Sequence, residues 1–308
     1  MDLVPIHNIT KDQLDQMQGF ILSSANQILS SIDATPKTIK SYQYNIDLFL
    51  EYIQDNGFHL NSFRDFKKHL DGTVNLSAAT KKIKLQAAKK ILTELYSHYH
   101  YLPKDITQNV KGISVTTGHK KDGLDQNDVT KVLEYIDHME SGFKQSRIKA
   151  IFSLLAYQGL RQFEVTNIRF KDLKLSNGIA FIKGKGKDDY EPIDLHPKTV
   201  ESIKEYINLS DQKDGFLFYP LSYAHKGTNK SLSTRSIRMM FGGIFKQLNI
   251  DKSVHGLRHY FVTVMCELLD GDYNRVKLFS RHKSIQSIIF YDDRKKKKSD
   301  LKHYYKAF

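Results

Sequence analysis

The chain has 308 residues, of which 40% are hydrophobic and 26% charged, and this suits a folded protein with two domains of ordinary size. Its formal net charge of +13 favours a polyanionic partner, nucleic acid ahead of a membrane surface. No window approaches the roughly 18 apolar residues that span a bilayer, and the N-terminus has no signal-like pattern, so we expect an intracellular protein without a membrane partner. The single cysteine, Cys266, excludes internal disulfides and cysteine-cluster zinc sites, and we expect it to be a core residue.

The first long helix is predicted in "TPKTIKSYQYNIDLFLEYIQDNG". Thr35 can cap it, Pro36 fits its first turn and Gly57 can end it. Apolar residues recur along it at spacings of three and four, which predicts one buried stripe made of Ile39, Tyr42, Ile46, Phe49 and Ile53.

A second, lysine-rich helix is predicted to begin after Ser77. Its apolar side is expected to be Ile83, Ala87, Ile91 and Leu95. Its first half carries Lys81, Lys82, Lys84, Lys89 and Lys90. Residues 60–118 hold ten basic and four acidic side chains, whereas residues 1–59 hold three and seven. These lysines are therefore interpreted either as a solvated face or as contacts to DNA phosphates.

Residues 112–123 lack helical periodicity and are rich in Gly, Thr and Lys, which indicates a linker before a new helix at Asp125. The second half mixes elements. Helical patterns occupy residues 146–158, 197–208, 233–248 and 256–269, and "GIAFIKGKGKDDYEPIDL" predicts a β-hairpin.

The stretch "HGLRHYFVT" places His255 and Arg258 one helical turn apart, so both can face one object. A zinc site with His259 is disfavoured, because Arg258 would put a permanent charge beside the metal and no acidic residue stands between the histidines. Two interpretations remain: a core histidine with an arginine paired to a carboxylate, or a phosphate site, since guanidinium groups bind phosphate oxygens bidentately.

Other segments add chemistry to this stretch. "YQGLRQFEV" places Glu164 one turn after Arg161, where it can orient an arginine or cap a helix. "GKGKDD" sets Lys185 at the tip of the predicted hairpin. "SRHKSIQSIIFYDD" presents His282 and, nine residues later, Tyr291.

In order and spacing, these pieces resemble the catalytic domain of the tyrosine recombinases, the family of phage integrases and Xer proteins. The family's arginine motif G-L-R-x-x-E is matched by Gly159, Leu160, Arg161 and Glu164, and the lysine of its G-K-G hairpin by Lys185. Its H-x-L-R-H motif is matched by His255, Leu257, Arg258 and His259. Its further histidine and its tyrosine are matched by His282 and Tyr291. One departure is that the family's usual Leu-Gly before the further histidine is replaced here, with Arg281 in place of the glycine.

The resemblance implies a mostly α fold with a small antiparallel sheet. It predicts a helical core-binding domain over residues 35–111, a linker over 112–123 and an α+β catalytic domain over 124–291. Residues 1–34 would be an N-terminal extension, and residues 292–308 a basic tail with seven basic and three acidic side chains.

The resemblance also implies transesterification of DNA without a metal or other cofactor. Tyr291 would attack the phosphate, leaving a 3′-phosphotyrosyl link, and His255 would accept the proton of a phenol whose usual pKa is about 10. By the same resemblance, Arg161 and Arg258 would clamp the phosphate, and Lys185 would protonate the leaving 5′ oxygen. His282 would donate a hydrogen bond to the phosphate or support the site. Recombination would need duplex DNA and four protomers, with the tail contacting a neighbouring protomer.

Several alternatives stay open at this stage. The same residues would suit a type IB topoisomerase, and the fold alone would suit a catalytically silent DNA-binding protein. The tail could instead be a solvated end or a localisation signal. We expect the protein in the cytoplasm at the nucleoid, or in the nucleus of a eukaryotic host. A P-loop ATPase is excluded, because "GKGKDD" lacks the Walker A spacing.

Overall fold

The computed structural model describes residues 9–115, 123–184, 189–221, 229–289 and 291. The chain divides into two compact units, Met1–Thr117 and Gly118–Phe308. The described residues form twelve α-helices and one three-stranded antiparallel sheet, which confirms the predicted fold class. Of these helices, none combines the length and the apolar character that crossing a membrane would require.

Four helices form the first unit: α1 (Lys11–Ser30), α2 (Pro36–Asn56), α3 (Ser62–Gly72) and α4 (Ala78–Ser97). Polar side chains start three of them by accepting a backbone hydrogen bond: Thr10 at α1, Thr35 at α2 and Ser77 at α4. The predicted helices after Thr35 and Ser77 are therefore confirmed. The α2 stripe buries Ile46 and Phe49 fully, as its spacing indicates.

The helix α1 corrects the boundary that the sequence predicted at residue 35. Its buried side, which includes Ile21 and Leu29, belongs to the same core as α2 and α4, so residues 11–30 are part of the helical unit and not an extension. The apolar side of α4 also differs from the prediction. Ile83 is 43% exposed, whereas Leu85 and Leu92 are buried.

The expected linker coincides with the junction of the two units. Ile113 still packs into the first core, and Leu124 packs into the second, where its N–H donates to the Gly256 carbonyl at 3.4 Å. The two units divide after Thr117, inside the range 112–123.

The second unit contains the helices α5 (Gln126–Asp137), α6 (Phe143–Ala156), α7 (Gln162–Asn167), α8 (Pro197–Leu209), α9 (Thr234–Gln247), α10 (His255–Leu268), α11 (Tyr273–Ser280) and α12 (Gln286–Ile289). Its centre is α6, which is buried along most of its length and packs against α5, α8 and α10. A helix that is apolar on most of its faces is stable only inside a core.

The sheet consists of β1 (Leu173–Lys174), β2 (Ile179–Lys183) and β3 (Tyr190–Asp194), paired in that order. The β2–β3 pair is the predicted hairpin, with Ala180 opposite Ile193. Ala180 and Ile182 point into the core while their neighbours are more exposed, which is the period of two expected for a half-buried strand.

A second, small apolar cluster supports the C-terminal part of this unit. It contains Val262, Cys266, Val276, Ile288 and Tyr291. Cys266 is 1% exposed, so its expected place in a core is confirmed. Because α10, α11 and α12 all contribute, the cluster holds the ring of Tyr291 against the first turns of α10.

Candidate active site

The first turn of α10 carries His255, which is exposed, and Arg258, which is buried inside the second unit. Arg258 is 1% exposed, and its guanidinium donates to the carbonyl oxygens of Gly159 and, at 2.6 Å, Ser280. A third donation goes to Nε2 of His282 at 3.2 Å. None of these acceptors is a carboxylate, so the interpretation of Arg258 as a partner of a core carboxylate is wrong.

Arg258 stays charged despite this enclosure. Burial lowers its pKa to about 9, and the nearby charge of Arg161 acts in the same direction. A pKa of about 9 still leaves the guanidinium protonated at neutral pH. The site therefore holds a largely desolvated positive charge, which interacts with an anion more strongly than an exposed charge does.

His282 follows α11 and is oriented by Ser280. Its Nδ1 lies 2.7 Å from Oγ of Ser280, and that hydroxyl donates to the carbonyl of Val276 at 2.7 Å. The Ser280 oxygen is therefore an acceptor for the Nδ1 proton, which leaves Nε2 as the acceptor for Arg258. Burial and the charge of Arg258 lower the pKa of His282 to about 3, so its imidazole is neutral at pH 7.

Glu164 holds Arg161 at the start of α7. The Arg161 guanidinium donates to Oε1 and the Arg161 backbone N–H to Oε2, both at 2.8 Å. Glu164 is 2% exposed. Burial alone would raise its pKa, but the charge of Arg281 and the hydrogen bonds of Arg161 outweigh burial and lower it. The supporting role expected for Glu164 thus has a defined geometry.

Tyr291 lies next to the histidines of the H-x-L-R-H motif. Its hydroxyl is 3.4 Å from Nε2 of His255, and its ring centroid is 4.5 Å from that of His259. Its carbonyl accepts a hydrogen bond from Thr263 at 3.1 Å, and its side chain is 8% exposed as a residue of the small cluster. The phenol is therefore held beside His255, the residue that the sequence analysis expects to accept its proton.

Five of the six predicted catalytic residues are thus brought together: Arg161, His255, Arg258, His282 and Tyr291. The sixth, Lys185, lies outside the described residues. Gly184 immediately before it lines the same cleft as Arg161 and His282. Among the described residues, no group of three or more histidine, cysteine or acidic side chains has metal-binding geometry.

Sequence reasoning missed the contacts made by Ser280 and Arg281. Arg281 adopts the left-handed conformation, with φ 52° and ψ 41°, and its guanidinium donates to Glu164 Oε2 at 3.0 Å. The sequence does mark both positions as unusual, because Ser280 and Arg281 replace the Leu-Gly pair of the family motif. Which groups they contact depends on the tertiary fold.

The five predicted DNA-binding lysines lie on α4 in the first unit, but they differ in their contacts. Lys90 pairs with Glu94 at 2.6 Å, and Lys81 donates to the Asp71 carbonyl at 2.9 Å. Lys82 and Lys89 are exposed, and Lys84 is half-buried. Lys82 and Lys89 lie seven residues apart and so share one face of the helix.

Comparison with known proteins gives consistent matches. The phage integrase family model matches residues 123–298, more than half of the chain. The tyrosine recombinase slr0733 of Synechocystis is 26% identical over 223 residues, covering 71% of this chain and 69% of that protein. The tyrosine recombinase XerC of Oceanobacillus iheyensis is 24% identical over 298 residues, covering 90% and 92%.

Solved structures share the fold. The XerH site-specific recombinase bound to its palindromic difH substrate superposes with a TM-score of 0.70 at 21% identity, covering 93% of this chain and 88% of that one. A lambda integrase dimer bound to a COC′ core site superposes with a TM-score of 0.67 at 13% identity, covering 90% of this chain and 77% of that one.

Fold and relatives together define a tyrosine-type site-specific recombinase, an enzyme that cleaves and rejoins DNA. The chain belongs to the phage integrase family. The two alternatives, a type IB topoisomerase and a silent DNA-binding protein, are not favoured by these matches.

Proposed function

We propose that this chain cleaves duplex DNA through a covalent bond between Tyr291 and a 3′ phosphate. The observation that carries the proposal is the short distance between the Tyr291 hydroxyl and His255 Nε2. The Tyr291 oxygen forms a bond to phosphorus, the bond from phosphorus to the 5′ oxygen breaks, and His255 takes the phenolic proton. The phosphodiester energy is kept in the new bond, so rejoining needs no nucleotide cofactor.

Two arginines stabilise the charge that develops on the phosphate, and they do so differently. The Arg161 side chain is 34% exposed, so it can reach a nonbridging oxygen of DNA in the cleft. Arg258 is enclosed and provides its charge from within the protein. Fixed donors of this kind lower the barrier because they need no reorganisation as charge develops.

His282 orients Arg258 in this scheme. Its Nε2 accepts a hydrogen bond from the guanidinium, so in this tautomer it cannot at the same time donate to a phosphate through that atom. Lys185 remains the proposed donor of the proton to the leaving 5′ oxygen, on the strength of its position in the family motif.

Duplex DNA is the proposed partner. Its phosphates would be contacted in the first unit by Lys82, Lys84 and Lys89, and less by Lys81 and Lys90, which have partners within the protein. The XerH recombinase is bound to its difH substrate and the lambda integrase dimer to a COC′ core site, and this supports the proposal. We also propose that four protomers act on two duplexes, that the tail over 292–308 contacts a neighbouring protomer, and that the protein acts at the nucleoid in the cytoplasm, as suits bacterial relatives.

Covalent trapping tests this proposal. Nicked duplexes made from the DNA that flanks the gene are incubated with protein, and adducts are separated on a denaturing gel. We expect the wild type to form an adduct that Tyr291→Phe cannot form. Tyr260→Phe is the matched control, because Tyr260 lies on α10 but its hydroxyl donates to Gln126 at 2.6 Å.

Each outcome of the trapping experiment is informative. An adduct that persists in Tyr291→Phe would refute Tyr291 as the nucleophile, and Tyr304 and Tyr305 would then be tested. Binding of DNA without any adduct would favour the silent DNA-binding protein. Four-way junction products from two duplexes would support recombination, whereas relaxation of supercoiled DNA without junctions would indicate a topoisomerase.

A further inference from the structure

Arg281 carries a backbone conformation that side chains disfavour. It ends α11 with φ 52° and ψ 41°, in the left-handed region that glycine adopts without steric cost. Family members usually have glycine at this place, and this chain has the longest cationic side chain instead. A side chain retained in such a conformation indicates a contact that offsets the strain.

That contact is the carboxylate of Glu164. The side chain of Arg281 is 8% exposed, and its guanidinium donates to Oε2 at 3.0 Å, while the Arg161 guanidinium donates to Oε1 at 2.8 Å. The main chain of Arg281 adds a second link, because its carbonyl accepts from the Arg161 guanidinium at 3.3 Å. Arg281 therefore touches Arg161 directly through its backbone and indirectly through Glu164.

The three charges do not cancel. One carboxylate and two guanidinium groups leave a net charge of +1 at the wall of the cleft, where Arg161 and Glu164 alone would leave none. The charge of Arg281 is among the causes that lower the pKa values of Arg258 and His282, so its field reaches the rest of the site.

We propose that Arg281 is a positioning residue for DNA cleavage, which holds Glu164, and through it Arg161, in the orientation that receives the scissile phosphate. The inference rests on the proposed function above. Arg281 does not itself contact the phosphate, since its guanidinium is enclosed and its Nε has neither exposed surface nor an acceptor among the described residues. Arg161, with a third of its side chain exposed, is the group that meets the DNA.

The test compares Arg281→Gly with Arg281→Lys. The glycine variant keeps the backbone conformation and removes the contact, whereas the lysine variant keeps the charge. Asn249→Gly is the matched control, because Asn249 is an exposed residue with φ 54° at the end of α9, away from the cleft. The probe is the nicked duplex that traps wild-type protein, and the readouts are the single-turnover rate of adduct formation and the affinity for the same duplex.

We expect Arg281→Gly to lose adduct rate on the order of tenfold or more, because a misplacement of about 1 Å in a site can cost about a hundredfold. Affinity for the duplex should change far less than the rate. Arg281→Lys should recover part of the rate, and Asn249→Gly should match the wild type.

The pH profile separates positioning from a purely structural role. The charged groups around Glu164 are Arg161 just before α7 and Arg281 just after α11. The cleft is also lined by Glu191 of β3, Lys277 of α11 and Lys283. Without Arg281 the Glu164 carboxylate loses the positive charge that does most to lower its pKa. The pH below which the adduct rate falls should therefore be higher in Arg281→Gly than in the wild type. The lysine variant should move it back.

Two results would overturn the inference while leaving the proposed function intact. One is an adduct rate and acid limb in Arg281→Gly that equal those of the wild type. The other is a loss of rate that Asn249→Gly reproduces. Absence of an adduct with wild-type protein would instead count against the proposed function itself.

Discussion

The hydroxyl of Tyr291 and Nε2 of His255 lie 3.4 Å apart, although the two residues are separated by 35 others in the chain. The small apolar cluster around Tyr291 and the hydrogen bond from Thr263 to its carbonyl hold this arrangement. This arrangement is the one that the proposed nucleophile and its proposed base require.

His255 should be required for the chemical step more than for binding. We expect His255→Gln to lower the adduct rate by about 10²–10⁴-fold, the usual contribution of a general base. DNA affinity, measured by fluorescence anisotropy in the Tyr291→Phe background, should stay close to that of the parent. Equal rates in His255→Gln and wild type would contradict His255 as the proton acceptor.

Gly159 should tolerate no side chain. Its φ is +56°, and a Cβ atom built on it would overlap the ring of Phe261 on α10, while its carbonyl receives Arg258. Gly159→Ala therefore combines about 1–2 kcal/mol of conformational cost with a steric overlap.

Gly178→Ala is the matched control for this change. Gly178 has φ +66°, and the nearest atom to its Cβ position is the Leu195 oxygen at 3.9 Å, so only the conformational cost applies. Urea unfolding should show a larger loss of stability for Gly159→Ala than for Gly178→Ala. Equal losses would show that the Phe261 contact imposes no constraint.

Ser280→Ala should disturb Arg258 through His282. The change leaves the Nδ1 proton of His282 without its acceptor, which costs about 1–3 kcal/mol for a buried donor. Arg258 still donates to Nε2, so the Nδ1–H tautomer persists with its proton unpaired, and the imidazole is held less firmly against the guanidinium. Nitrogen NMR of labelled histidine should show the Nδ1–H form in both proteins with a changed Nδ1 shift in the variant, together with slower adduct formation. An Nδ1 shift and an adduct rate in Ser280→Ala equal to those of the wild type would refute this chain of contacts.

Acid should destabilise the fold through His282. Its pKa is lowered to about 3 in the folded state, below the ordinary value of about 6.5, so the unfolded chain binds more protons between these values. Stability should therefore fall as the pH drops from about 6.5 toward 3. The pKa of Glu164 is also lowered, so this group adds a loss of stability as well. That loss begins only below about pH 4.3, the ordinary pKa of glutamate.

The interval between about pH 4.5 and 6.5 thus isolates the histidine. The free energy of unfolding from urea titrations should depend less on pH there in His282→Gln than in the wild type. A wild-type slope in that variant would show that His282 is not the group responsible.

Local features were predictable from the sequence because their causes are local. Thr35, Ser77 and Asp125 each cap the helix that was expected after them, and the hairpin formed where the apolar runs flank a turn. The helix α1 could have been found in the same way, since Thr10 and Gln13 form a capping box.

The contacts of Arg281 were not predictable in this way. Its partner Glu164 is 117 residues earlier in the chain, and only the packing of α7 near the end of α11 brings the two together. The motif match indicated which residues would meet in the site. It did not indicate that Arg258 would be enclosed or that His282 would be neutral, because both depend on burial by the whole unit.

Mass spectrometry of the trapped adduct tests the central claim most directly. Protein linked to a nicked duplex is digested with nuclease and trypsin, and the peptide that carries the remaining nucleotide is sequenced. We predict that the nucleotide is attached through phosphate to Tyr291, in the peptide that follows Lys283. Attachment to any other residue, Tyr304 and Tyr305 included, would contradict the account.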